Sequence, residues 1–336
     1  MSALQVTWFI LWALLWAVYF ILGGFSLGLG ALMPFLARDE AERRAFYSTP
    51  GQGGNEVWLI FAAVVMLAGF PKAFAALFSA LYAPFMLLLL ALVFRVAASE
   101  FRSRSNSPRW RAFWDVCKFA GSFAPAFLLG LIFANLFQGL PINAGGILRG
   151  GVLTLLGPYA LCGGALFVVL FAHHGLLWLA RRGAGPLRYR AALWSGTVWL
   201  FLLGLVLLFF AASGTFTQLY ANLYANPALA ILPLTGLVSL VTTRFAPAGS
   251  LTAWVASCLF IVCLTLFGLS GIYPALVPSS LDPAFSLTVG NSAAGPLTLK
   301  VLLVVAGIFL PPVIISQILV GRLPLREGDV QEPGNH

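Results

Sequence analysis

Glu56 opens an apolar run that carries no further charge until Lys72. A carboxylate is costly to remove from water, so an acid at the mouth of a membrane helix is either still hydrated or has a task. The tasks open to it are proton entry and contact with another subunit. It also stands in the first turn of its helix, where the positive dipole end favours an anion. Other polar residues in or beside the apolar runs are few: Ser26, Asn55, Lys72, Arg95, Glu100, Asn135, Gln138 and Asn222. Arg95 and Glu100 are five residues apart, off the i,i+4 spacing of a helical ion pair. For Arg95, snorkelling toward the membrane surface is the plain reading, with a place in a proton path or interface as the alternative. Ser26, Asn55, Glu56, Arg95 and Glu100, with the aromatic Trp58, form the candidate proton path or interface.

Metal chemistry has little to work with. The chain has 3 histidines: His173, His174 and His336. Adjacent histidines on a helix point about 100° apart and cannot hold one ion from one face. Packing or hydrogen bonding between helices is the plainer use of His173 and His174, with a single ligand or proton carrier as the alternative. The 4 cysteines, Cys117, Cys162, Cys258 and Cys263, form no C-x-x-C and lie in or beside apolar runs, as small buried residues do. No P-loop and no H-E-x-x-H is present. "GGFSLGLG", from Gly23 to Gly30, looks like a dinucleotide turn but lies within a membrane span, where small residues bring helices close.

The elements that must position these residues are membrane helices. The 336 residues are 60% hydrophobic and only 9% charged, with mean hydropathy +0.96. This is an all-α, polytopic integral membrane protein with a single membrane domain, 1–322, and a polar cytoplasmic tail, 323–336. A span needs about 20 apolar residues. Nine are expected, at 6–36, 55–70, 72–99, 112–138, 152–180, 190–213, 226–243, 250–270 and 297–320. Pro71 separates the second from the third, because proline removes a backbone donor and clashes with the preceding turn. The stretch 271–296, rich in Pro, Ser and Gly, reads as an ordered loop.

Charge orients the spans. The net charge is +9, but the basic residues lie between apolar runs and not in one block, which sets topology and argues against a nucleic-acid partner. With the N-terminus outside, only Lys72, Arg149 and Lys300 of the 19 basic residues fall on the outer side, and Arg95 lies within span three. The C-terminus is then cytoplasmic.

"GGNEVWLI", "SPRWRAFWD", "GLIFANLFQGLP", "GPYALCGGALFVVLFAHHGLLWLA" and "YPALVPSSLDPAFSLTVGNSAAGPLTLKV" together, in this order, resemble subunit II of the cytochrome bd-type quinol oxidases. The resemblance implies nine helices, as two four-helix bundles plus one peripheral helix. It implies a bacterial cytoplasmic membrane protein, bound to membrane lipid and to a haem-bearing subunit I. That complex oxidises quinol, reduces dioxygen to water and builds a proton gradient without pumping. Haems b and d are expected in the partner subunit and no cofactor in this chain, which helps form routes for protons and dioxygen. A small accessory subunit is compatible with it. Trp58 is expected at the interface with the haem subunit or beside a gas route.

Two departures from the family pattern matter. The family usually reads Gly-Phe-Asp-x-Gly in span one, and here Ser26 stands in place of the acid. It usually carries Trp-Asp before Gly-Asn, and here Gln52 and Gly53 stand there. Neither Ser26 nor Gly53 can carry a charge, which leaves Glu56 as the nearby acid. The competing readings are a membrane transporter or channel, and a scaffold partner of a divergent haem complex that has lost the usual proton route.

Overall fold

The computed structural model describes residues 1–47 and 55–322. Gly53 and the tail from 323, including His336, lie outside the described residues. The chain forms α1 (Ala3–Leu36), α2 (Glu40–Tyr47), α3 (Glu56–Gly69), α4 (Pro71–Ala80), α5 (Tyr82–Phe101), α6 (Pro108–Gln138) and α7 (Pro158–Arg182). It continues through α8 (Gly185–Phe216), α9 (Leu219–Ala225), α10 (Ile231–Phe245), α11 (Leu251–Ile272), α12 (Val289–Ser292) and α13 (Pro296–Arg322). Among the described residues, 8 helices are long and apolar enough to cross a membrane, and α3 is a ninth, shorter apolar helix. The protein is a multi-pass membrane protein.

The helices pack as two bundles. α1, α3, α5 and α6 make the first, and α7, α8, α10 and α11 the second, joined where α1 and α6 lie against α7. α13 leans on α1 and α3 from outside and is mostly exposed. The indole of Trp8 donates to the carbonyl of Leu299 at 3.1 Å, fastening α1 and α13 together near their starts.

Glycines let the bundles touch. At Gly28 an added Cβ would lie 1.8 Å from the Phe171 carbonyl oxygen, and at Gly130 2.1 Å from that of Gly163. Only glycine permits backbones so close, so the Gly23–Gly30 stretch is a helix-packing surface, as its sequence implies.

The third expected span, 72–99, is interrupted at Leu81, giving α4 and α5. Pro84 explains the break: it has no N–H for the carbonyl of Ala80, and its ring clashes there. The fifth span starts at Pro158, not 152, because 152–155 is a separate 3-10 turn. The seventh is composite: a 3-10 turn at Pro227–Ala230 leads into α10, and together they make the span Pro227–Phe245. The stretch 214–225, between the expected sixth and seventh spans, holds the end of α8 and the short α9. The 271–296 loop is ordered: β1 (Ala275–Val277) pairs antiparallel with β2 (Leu287–Thr288), followed by α12.

Candidate functional site

Arg95 is the centre of the site. It lies on the face of α5 that buries Leu88, Leu92 and Ala98, and is 2% exposed. Its Nη1 donates to Glu56 Oε1 at 2.5 Å and its Nη2 to Ser26 Oγ at 2.8 Å. The snorkelling reading of Arg95 is corrected: the guanidinium is held between α1, α3 and α5. Sequence spacing could not reveal this, since its partners are on other helices. Glu100 is exposed on α5 and lies apart from this cluster. Ser26 in turn donates to the Gly23 carbonyl at 3.0 Å.

The start of α3 is tied in by its neighbours. Asn55 is buried and donates from Nδ2 to the Leu22 carbonyl of α1 at 2.7 Å. That bond fixes Glu56, one residue on, against Arg95. Trp58 is buried beside Phe61 and forms one wall of an apolar groove of about 430 Å³ between α1, α3 and α13, with Leu11, Leu15 and Leu310. Its indole Nε1 has no hydrogen-bond partner among the described residues. Gly121 of α6 completes the close packing, since a Cβ there would meet the Arg95 backbone nitrogen at 2.8 Å.

A second charged cluster caps the basic end of the bundle. α2 lies across it with acids early and bases late, matching its dipole. Arg102 bridges Asp115 at 2.6 Å and Glu40 at 3.0 Å. Arg43 reaches Asp115 at 2.9 Å, Arg111 reaches Glu40 at 3.3 Å, and Arg190 of α8 pairs with Glu42. Tyr47 donates its hydroxyl to Asp115 at 3.0 Å, and burial followed by that carboxylate pushes its phenol up. The hydrogen bond from Arg102 holds Glu40 below its ordinary 4.5, and that from Arg190 does the same for Glu42. Both acids have lowered values in the folded chain. The support they give is present above the ordinary carboxylate value and is lost as pH falls through the lowered ones. We therefore expect α2 to stay clasped at neutral pH and to become cleavable by an acid-active protease only below about pH 4.5. Mass spectrometry of the fragments checks this, and cleavage within α2 already at pH 6 would contradict it.

Residues 4–323 match the family described as cytochrome bd terminal oxidase subunit II. The chain belongs to that family. It is 33% identical over 329 residues to cytochrome bd ubiquinol oxidase subunit 2 of Bacillus subtilis, covering 95% of each chain. It is 30% identical over 349 residues to cytochrome bd-I ubiquinol oxidase subunit 2 of Escherichia coli K12, covering 94% of this chain and 92% of that one. Its fold matches the bd oxidase structure from Geobacillus thermodenitrificans with a TM-score of 0.78 at 19% identity, covering 96% and 98% of the two chains. This subunit II is thus part of a cytochrome bd-type quinol oxidase complex.

The family implies haem, and His174 of this subunit II has no ring nitrogen left over to bind its iron. His174 uses both ring nitrogens, with Nδ1 2.7 Å from Ser257 Oγ and Nε2 3.2 Å from the Ile21 carbonyl, and its ring stacks on Trp254. His173 binds Thr243 Oγ1 through Nε2 at 3.2 Å. The adjacent rings serve different helices, joining α7 to α1, α10 and α11. No group of three or more His, Cys, Asp or Glu suited to a metal occurs among the described residues.

Gly24 to Gly28 also spell G-x-S-x-G. A nucleophile elbow needs a strand-to-helix turn and an exposed serine. Ser26 is fully buried in mid-helix, so the match carries no chemistry. The sequence reading passed over Asp115 and Arg102 as partners, and took Lys118 only as one of the basic residues. One signal was available: Asp115, Lys118 and Ser122 recur at i, i+3 and i+7 in an apolar helix.

Proposed function

We propose that this chain is the haem-free supporting subunit of the oxidase, with haems b and d held by the haem-bearing subunit I. Quinol oxidation and dioxygen reduction then take place in the partner, and this chain gives protons access from the cytoplasm. The observation that carries this reading is a charged site built inside an apolar bundle: Arg95 gripped by Glu56 and Ser26. A buried ionisable group in a membrane bundle is costly and commonly marks an ion or proton path. The N-terminus is outside and the C-terminus inside, supported by the basic loops. Residues 1–322 form the single membrane domain and 323–336 a polar tail.

Glu56 and Ser26 stand near the positions where the family pattern carries acids. Ser26 can pass a hydrogen bond but cannot store a proton near neutral pH. Glu56 is the group that can, and its side chain is 24% exposed, so water reaches it. E56Q keeps size and hydrogen bonding while removing the proton site. The purified complex should keep its haem spectrum and lose quinol-oxidase turnover by about 10²-fold, the low end for a positioned acid–base group. Adding G53D to that background should return part of it. Full turnover in E56Q across the working pH range would favour the scaffold reading, with protons entering through the partner.

A further inference from the structure

One face of α6 is polar where the surrounding bundle is apolar. Asp115, Lys118 and Ser122 are all buried on it. Facing them are Arg95 and Ser99 of α5, and Ser26 and Gly30 of α1. Gly30 leaves room for Ser122, whose Oγ lies 2.0 Å from where a Cβ would stand. Lys118 Nζ donates to Ser99 Oγ at 2.8 Å, and Ser99 donates to the Arg95 carbonyl at 3.3 Å. On its other side Nζ lies 5.2 Å from the centre of the Tyr47 ring. A polar seam therefore runs from the charged cluster under α2, past Lys118, to Arg95, Ser26 and Glu56. Ser99 is exposed, so the seam opens to the surface beside Lys118.

Lys118 differs from every other charge in the seam. Asp115 is taken by Arg43 and Arg102, Glu40 by Arg102 and Arg111, and Glu56 by Arg95. Lys118 is 2% exposed and forms no ion pair among the described residues. The groups around it are Tyr47 from α2, Ser99 from α5 and, further off, Arg95 from α5 and Glu56 from α3, with Asp115 one turn back on its own helix held by Arg102, which follows α5. An ammonium buried without a counter-ion is expensive, and a neutral amine bonded to a hydroxyl is far less so. Lysine can exist as either, whereas arginine stays charged.

We propose that Lys118 is the proton-holding residue of this seam. Its nitrogen lone pair takes a proton from hydronium at the Ser99 opening: an O–H bond breaks, leaving water, as the N–H bond forms. The same bond then breaks to deliver the proton to water or to the Glu56 carboxylate. The inference rests on the reading that this subunit gives protons access. K118R keeps the cation, its place over Tyr47 and a donor for Ser99, but cannot release a proton. K118M removes all of these. In complexes with full haem spectra, both should lose at least tenfold in turnover, and K118H should regain turnover with a displaced pH profile. If K118R turns over like the unaltered complex with the same pH profile, Lys118 is only a structural cation and the proposal fails. E56Q measured in parallel separates the two ideas. A loss in E56Q with normal K118R removes only Lys118 from the route, and normal turnover in both removes the route itself.

Discussion

Arg95→Leu is expected to be the most damaging side-chain truncation in the first bundle. The leucine fills space but leaves Glu56 without its cation and Ser26 without its donor. Removing one partner of a buried ion pair costs about 3–5 kcal/mol, because the other charge stays behind. Glu56 keeps 24% of its side chain exposed, so the low end of that range applies. Arg95 also joins three helices, so the loss should appear as poor recovery of the whole complex. Arg95→Leu combined with Glu56→Leu removes both charges and should recover much of the yield. The coupling between the two substitutions is read from detergent-solubilised complex yield and its thermal midpoint. A double variant no better than Arg95→Leu alone would show that the pair is not the source of the damage.

Gly28→Val is the second substitution with a large expected effect, and it acts by shape alone. A Cβ at Gly28 would lie 1.8 Å from the Phe171 carbonyl oxygen and 2.3 Å from its carbon. Those are backbone atoms of α7, which cannot rotate away as a side chain can. α1 and α7 would have to separate, and with them the hydrogen bond from His174 to the Ile21 carbonyl. Overpacking a well-filled core costs about 1–3 kcal/mol, and a backbone clash exceeds what local repacking can absorb. The expected outcome is failure to assemble, seen as loss of haem-containing complex at normal transcript level. Gly204→Ala in α8 is the control, because nothing lies within 4 Å of a Cβ there. Alanine in an open helical position should be neutral or stabilising by up to about 1 kcal/mol. Equal yields for Gly28→Val and Gly204→Ala would refute the close-crossing argument.

The spans were legible because long apolar runs have few alternatives in a membrane. The break at Leu81 was less so, since its cause, Pro84, lies within an otherwise continuous apolar run. The role of the Gly23–Gly30 stretch could be read from small-residue spacing alone. The charged site could not. Glu56 was singled out by its position, but its partner Arg95 is 39 residues away, and spacing within one helix says nothing about a neighbour on another. For Arg95 the sequence leaves snorkelling and a place in the site as equal readings, and only the fold decides between them. α2 was hidden for a similar reason: its charges mark a loop until Arg102, Asp115 and Arg190 are brought beneath them by folding.

The bond from Trp8 to Leu299 has a meaning for biosynthesis. Its partners are 291 residues apart, and the helices they begin run side by side in the same direction. At roughly 5–20 residues per second, the ribosome needs about 15–60 s to produce one after the other. Through that interval the flank of the first helix waits in the bilayer without its protein neighbour. Leucines along this flank, Leu11, Leu14, Leu15 and Leu22, are side chains that lipid tails solvate as readily as protein does. The nascent chain therefore incurs no penalty for waiting. The last helix docks by displacing lipid, and a single indole marks where its first turn belongs.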